Sequence, residues 1–434
     1  MTARGQLRSH AGVLCVLAAL APLGCATAPA PVPTPPSPSM LPTLEARLRQ
    51  EPNNETLRVL VAAGHRDAGR PQQAAALLEP AAAGGSASAP ATYLLGLVYE
   101  DQSRHADARR LYRAIADGGG PLAGRARERL ELLSRIELQQ AVRASIAREE
   151  ALRGTPPAPR SVGVFPFLFA GDDDELRPLS RAMAELLTTD LAQTERLTVL
   201  ERAQIQTLID ELDLAQSGYV DTTTAARAGY LLGAGRIVQG RIGGGQAALE
   251  ITAAVVPVGA AAPVAPLRQA GALQTLFDME KALALEVYQA MGIELTAAER
   301  ERVEQRQTRN LQALLAFGYG LEASDRGRPA DAASYFERAV QLDPNFPLAR
   351  QHLDRARLRA AAERASGEEG TRVAVAALPP DPSILEVVDP FAALQAMVPN
   401  PLLRDPGAEV FGVEGLDRRP VIDVIIRPPT GGGQ

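Results

Sequence analysis

Apolar side chains along this chain recur at two different spacings, and the change of spacing divides it. From Leu44 to about Arg153 they return every three or four positions in an Ala-, Leu-, Arg- and Glu-rich background, which predicts amphipathic helices. Gly154-Thr155-Pro156-Pro157-Ala158-Pro159 stops that pattern. Ser161 to Phe167 then reads as a buried strand, and Leu179, Met183, Leu186, Leu187 and Leu191 as one face of a helix. A short strand at Leu197–Leu200 follows, then an amphipathic helix on Ile205, Leu208, Ile209 and Leu212, and a helix over Thr222–Leu232 capped by its threonines. Arg236–Ile242 and Ala248–Val256 predict a hairpin turning at Gly243-Gly244-Gly245. A weak strand spans about Val264–Leu273, and Leu276, Met279, Leu283 and Val287 close the domain with a helix. Alternating strands and helices with a hairpin predict an α/β domain, a mixed sheet covered by helices, with all-α segments on both sides.

The helical segments repeat. Ala74 and Ala108 lie 34 positions apart, as do Leu78 and Tyr112, and Gly96 and Tyr99 occupy matching places in the second unit. A third copy lies downstream, where Gly320, Ala332, Phe336, Ala339 and Pro344 hold positions 8, 20, 24, 27 and 32 counted from Ala313. Its turn, Gly327 to Ala332, echoes Gly69 to Ala74. That period and pattern resemble tetratricopeptide repeats, in which small residues let two antiparallel helices approach and larger ones fill the gap. Ala316 stands where Trp is common, and Ala62 where the first unit would carry Gly. The resemblance implies curved surfaces that bind proteins, with Gly96, Tyr99, Ala108, Tyr112, Gly320, Ala332 and Phe336 as candidate residues. The alternative is that the repeats simply pack on the central domain.

Within the central domain, Val164-Phe165-Pro166-Phe167, Val199-Leu200-Glu201-Arg202, Glu211-Leu212 with Ser217-Gly218, and Gly235 to Ile242 follow one another in an order that resembles the CsgG/HfaB family. The resemblance implies an envelope lipoprotein with a fold like FlgO and the amino-terminal domain of TolB, and it marks Glu201 and Arg202 as a candidate protein contact. An ion pair across the strand–helix junction accounts for Glu201, Arg202 and Glu211 equally well. A secretion pore of the family's kind needs inserted strands of about 9–11 residues. Only a glycine turn separates Ile242 from Ala248, so no pore is expected.

The amino terminus reads as an address. Arg4 and Arg8 precede an apolar run from Gly12 to Ala21, too short to span a membrane, and Pro22-Leu23-Gly24-Cys25 resembles a lipobox with Cys25 as the lipidated residue. Pro22 departs from the aliphatic residue usual there. The proline-rich stretch Ala26–Pro42 predicts an extended tether. By resemblance to sorting signals, Ala26 points to the outer membrane.

Composition narrows function mainly by exclusion. Cys15 and Cys25 are the only cysteines, the four histidines are scattered, and Lys281 is the only lysine, which excludes a P-loop elsewhere. A net charge of -6 argues against nucleic acid as a partner. Asp172-Asp173-Asp174-Glu175 reads as a solvated helix start ahead of a calcium site. No cofactor is predicted. The tail from about Ala365 is rich in Pro and Gly and reads as mostly disordered, with apolar runs Val373–Leu378 and Val421–Ile426 able to add a strand to a sheet edge.

The domains expected are therefore a lipoprotein signal (1–25), a tether (26–43), helical repeats (44–153), an α/β domain (160–294), a helix with a further repeat (295–364) and a tail (365–434). The expected function is that of a non-enzymatic outer-membrane lipoprotein facing the periplasm, an adaptor for other envelope proteins, with homo-oligomerisation open. The alternative is an oligomeric secretion-channel component.

Overall fold

A computed structural model describes residues 35–154, 157–212, 222–259, 266–364 and 367–379, and all that follows concerns these. Cys25, the signal segment, most of the proline-rich stretch, the Ser217-Gly218 motif, the side chains of Thr222 and Thr223, and Val421–Ile426 lie outside them.

Five helices open the body: α1 (Leu41–Gln50), α2 (Glu55–Asp67), α3 (Pro71–Ala83), α4 (Ala89–Asp101) and α5 (His105–Gly118). Asn54 and Ser88 cap α2 and α4 by accepting from the Leu57 and Ala91 amides, and Pro71 opens α3, where a missing N–H costs nothing. The predicted tether does not stay wholly extended, because Pro36 is buried beside Gly64 of α2. The long helix α6 (Ala123–Ala147) then runs on to the short α7 (Glu149–Arg153).

The central domain holds six strands: β1 (Ala158–Val164), β2 (Leu168–Gly171), β3 (Thr198–Val199), β4 (Ala234–Gly245), β5 (Ala248–Pro257) and β6 (Leu267–Gly271). The order is β3-β1-β4-β5-β6, with β2 also paired to β4; β1, β2 and β3 run parallel to their partners, β5 and β6 antiparallel. The strand expected at Ser161–Phe167 is split at Phe165-Pro166-Phe167. Pro166 cannot donate to the ladder, so β2 resumes two residues later against Arg241–Gly244. The glycine run is not the hairpin turn either. Gly243–Gly245 stay in β4 and the chain reverses at Gln246-Ala247; of the three only Gly244, at φ +76, requires glycine, since a Cβ there would strike the Ala248 carbonyl.

Helices α8 (Leu179–Leu191), α9 (Arg202–Glu211), α10 (Thr222–Leu232) and α11 (Leu276–Ala290) cover the sheet. Val162, Val164, Val238, Ile242, Leu249, Ile251 and Val255 meet α8 and α11 on one face. Phe165, Ile237 and Val256 meet α9, α10 and Val142 of α6 on the other. After α12 (Ala297–Glu304), whose Thr296 and Glu299 form a capping box, come α13 (Leu311–Asp325), α14 (Pro329–Leu342) and α15 (Pro347–Arg364). Phe317, Phe336 and Phe346 of this repeat are fully buried in the same core as the sheet's α8 face. Each such burial contributes about 1.5–3 kcal/mol. The downstream repeat thus packs on the central domain, the alternative entertained from sequence.

A last helix, α16 (Gly367–Ala376), occupies part of the segment read as an unordered tail, and Val373–Leu378 packs on α2 and α4 as helix and turn, adding no strand. Helix α15 returns to α6, tied by Arg359–Glu131 at 2.5 Å and Arg135–Glu363 at 2.8 Å.

Two ion pairs make this assembly acid-sensitive. Hydrogen bonds from Arg227, backed by Arg153, outweigh burial and draw Glu149 down to about 2. The Thr296 backbone and the Thr194 hydroxyl do the same for Glu299, also to about 2. A depressed carboxylate contributes stability above its unfolded value near 4.5 and loses it as pH falls through the folded value. Far-UV ellipticity is therefore expected to fall between pH 4.5 and 2, and less steeply in a Glu149→Gln/Glu299→Gln variant. An identical acid limb in that variant would remove both groups from the account.

Candidate functional site

The repeat residues singled out from sequence lie inside the repeats. A Cβ on Gly96 would come within 2.6 Å of the Tyr112 ring, and one on Gly320 within 2.5 Å of the Phe336 ring. In each repeat the large ring follows its glycine by sixteen positions and fills the place the missing side chain leaves. Ala108, Tyr112, Ala332 and Phe336 are fully buried. The Tyr112 hydroxyl donates to Glu100 at 2.6 Å, and Arg129 from α6 pairs with the same carboxylate. Burial first, then the Glu100 charge, pushes the Tyr112 phenol well above its usual range. Tyr99 is half-buried; its hydroxyl donates to Glu79 and the Arg104 guanidinium lies 3.8 Å from its ring. His65 is buried beside Glu45, and His105 opens α5.

Glu201 and Arg202 part company. Glu201 stands exposed at the amino-terminal boundary of α9, without a side-chain cap. Arg202 turns inward to Glu185 of α8, at 3.2 Å, and to Asp325 of α13. Arg181 reaches Asp325 at 2.7 Å, and His352 of α15 lies 3.0 Å from Glu185. Burial opposes ionisation of Glu185, but the His352 hydrogen bond and the Arg202 and Arg355 charges prevail and hold its pKa below the usual value. The expected junction pair is replaced by a hub joining the central domain to the downstream repeat, while Glu211 pairs with Arg143 of α6 at 2.9 Å.

The inner faces of both helical segments are covered by this chain. Helix α13 crosses the start of α8, with Gly318 pressed on Pro178. Helix α16 lies across α2 and α4. Two surfaces stay open. Tyr319 and Tyr335 stack at 5.5 Å on the outside of α13 and α14, 39% and 41% exposed, and are the largest apolar side chains left in water among the described residues. The second is a cavity of about 520 Å³ where α8, α9 and α13 overhang the sheet, walled by Phe165, Phe167 and Phe169 with Gln239, Arg241 and Arg326. Arg241 is exposed and pairs with none of the described residues, whereas Arg326 pairs with Glu322. Asp173 and Asp174 fold back locally, onto the Glu175 amide and Arg177.

One buried cluster had no warning in the periodicity. Lys281 donates to both oxygens of Asp190, at 2.8 and 2.7 Å, with Glu280 3.3 Å away. The solitary lysine was the available signal, since a lone cation amid 44 arginines has a reason to be compact.

Residues 165–245, from the end of β1 through β4, match the family model described as curli production assembly/transport component CsgG. That stretch is a CsgG-type domain, and helical repeats flank it. No curated protein matches the chain. Among solved structures, a tetratricopeptide repeat protein from Parabacteroides merdae matches at 15% identity, covering 73% of this chain and 91% of that one, with a TM-score of 0.21.

Proposed function

We propose that this chain is a non-enzymatic lipoprotein of the outer membrane, anchored through Cys25, facing the periplasm and acting as an adaptor between proteins of a curli-type envelope assembly. The observation that carries the reading is the CsgG-type domain at residues 165–245 held in one body with repeats on both sides. The hairpin supports an adaptor over a channel subunit. Strand β4 pairs with β1, β2 and β5, strand β5 with β4 and β6, and both bury one face against helices. Strands engaged on both edges and one face are committed to their own domain. Among the described residues no helix is long and apolar enough to cross a membrane, so attachment in this reading falls to the lipid.

Growth with a labelled fatty acid tests the anchor: the wild-type chain is expected to carry label and a Cys25→Ser variant none. Label persisting in the variant removes the anchor. Crosslinking in intact cells tests the adaptor role, with envelope proteins expected in the captured complexes. Closed rings with a detergent belt in electron micrographs would replace the adaptor by a channel.

A further inference from the structure

We propose that the cavity under α8, α9 and α13 captures the carboxyl terminus of a polypeptide that ends in a large apolar residue. The site stands on the geometry of the central domain alone; the adaptor reading supplies only the source of the ligand, a protein.

The cavity arises where the helices stop covering one face of the sheet. Side chains alternate along a strand, so Ile237, Gln239 and Arg241 of β4 share a face, paired with Val256, Ala254 and Thr252 of β5. Helices α9 and α10 close over Ile237 and Val256. Past them, Gln239, Ala254 and Thr252 are half-buried and Arg241 is exposed. The 520 Å³ or so beside them lies within the range of ligand sites, about 300–1,000 Å³, and Phe165, Phe167 and Phe169 give it an aromatic wall.

Two polar groups lining it lack partners. Gln239 Oε1 is buried and accepts from none of the described residues. A buried acceptor in that state costs free energy until something donates to it, and the terminal amide torsion is soft enough to turn toward a donor. The other group is Arg241. Of the arginines lining the cavity, Arg177 pairs with Asp174, Arg181 with Asp325 and Arg326 with Glu322, whereas Arg241 meets no acid among the described residues. Gln239 and Arg241 stand two positions apart on one strand face, about 7 Å, which an extended peptide covers with two residues.

These demands select one chemistry. The rings suit an apolar side chain, the Gln239 oxygen an N–H, and the Arg241 guanidinium a carboxylate held by two parallel hydrogen bonds. The last residues of a polypeptide carry all of these together, and capture of a chain end is an established mode of peptide recognition. A fatty acid lacks the N–H. An internal Asp or Glu carries its carboxylate in place of the apolar side chain.

The test uses the full chain and a fluorescein-labelled tetrapeptide, alanines followed by phenylalanine, with a free carboxylate. By anisotropy the wild type is expected to bind it saturably and to bind its carboxamide form about tenfold more weakly, the loss of a charge-assisted hydrogen bond. Arg241→Gln is expected to lose about tenfold for the acid and nothing for the amide. Gln239→Leu is expected to lose about fivefold for both forms without lowering the urea midpoint, because it removes an unmet acceptor; a residue kept for stability would do the opposite. Ala254→Phe fills the cavity from the sheet and is expected to abolish binding. Should that variant lose its far-UV signal, Arg241→Gln, at an exposed position, still decides. No saturable binding, equal affinity for acid and amide, or Arg241→Gln binding like wild type overturns the site. N-acetylphenylalanine binding as tightly as the tetrapeptide, or decanoate displacing it at equal concentration, overturns a chain end as the occupant. In-cell capture of envelope proteins separates the two readings: capture without peptide binding sinks the cavity and keeps the adaptor, and peptide binding without capture does the reverse.

Discussion

Replacing Gly318 by alanine is expected to destabilise the chain by about 3 kcal/mol, the upper end of overpacking costs, although glycine-to-alanine within a helix ordinarily stabilises by about 0.5–1 kcal/mol. The reversal comes from what lies opposite. A Cβ at 318 would lie 2.8 Å from the Pro178 carbonyl carbon and from its ring, and closer still to the carbonyl oxygen. Pro178 is the residue from which α8 starts, so the obstacle is backbone that cannot rotate away. Helix α13 must lift from α8, straining Phe317 against Phe346 and Asp325 against Arg181 and Arg202. Gly124, in the first turn of α6, is the control: a Cβ there meets nothing within 4 Å, and Gly124→Ala is expected to be neutral or stabilising by up to about 1 kcal/mol. Urea midpoints decide. A Gly318→Ala midpoint at or above wild type would mean that α13 is not seated on α8.

The second large effect concerns the buried charges between α8 and α11. Lys281→Met is expected to cost about 3–5 kcal/mol, the toll of leaving one half of a buried pair alone. The Asp190 side chain is 1% exposed and its backbone carbonyl is engaged by Tyr288, so it cannot turn to water. Burial, reinforced by the Asp190 charge, pushes Glu280 well above the ordinary carboxylate range. Burial raises Asp190 as well, against the pull of Lys281. Without Lys281 that rise grows. A carboxyl whose folded pKa lies above its unfolded one binds a proton that the unfolded chain has released, so stability falls as pH climbs from the unfolded value to the folded one. The loss is therefore expected to be larger at pH 8 than at pH 4, and Asp190→Leu added to Lys281→Met is expected to restore most of it. A loss of equal size at both pH values, unrelieved by Asp190→Leu, would show that the packing of the lysine stem matters and its charge does not.

How far the chain could be read beforehand follows the distance over which each feature is encoded. The unit α13–α14 was legible because Gly320 and Phe336 sit on adjacent helices and are chosen for each other. The sheet's alternation in β5 was legible for the same local reason. Strand β2 was not, because Pro166 breaks the apolar run and its partner β4 lies more than seventy positions away. Gly243–Gly245 looked like a turn, yet only Gly244 has a side chain excluded, by the Ala248 carbonyl across the hairpin, which a glycine run by itself does not announce. Arg202 misled in the same way: its partners Glu185 and Asp325 are brought to it by α8 and α13, and no spacing announces them. Helix α16 was hidden by its surroundings, proline and glycine on one side and two glycines of its own. Its stripe makes sense only once α4 is in place to receive it.

The packing of α16 on α2 also fixes where the chain enters and leaves the described body. Pro36 lies against α2 at Gly64, and the chain departs again at Pro379 from a helix resting on that same α2. The described body thus begins and ends against one helix, α2, although 343 positions of sequence separate Pro36 from Pro379.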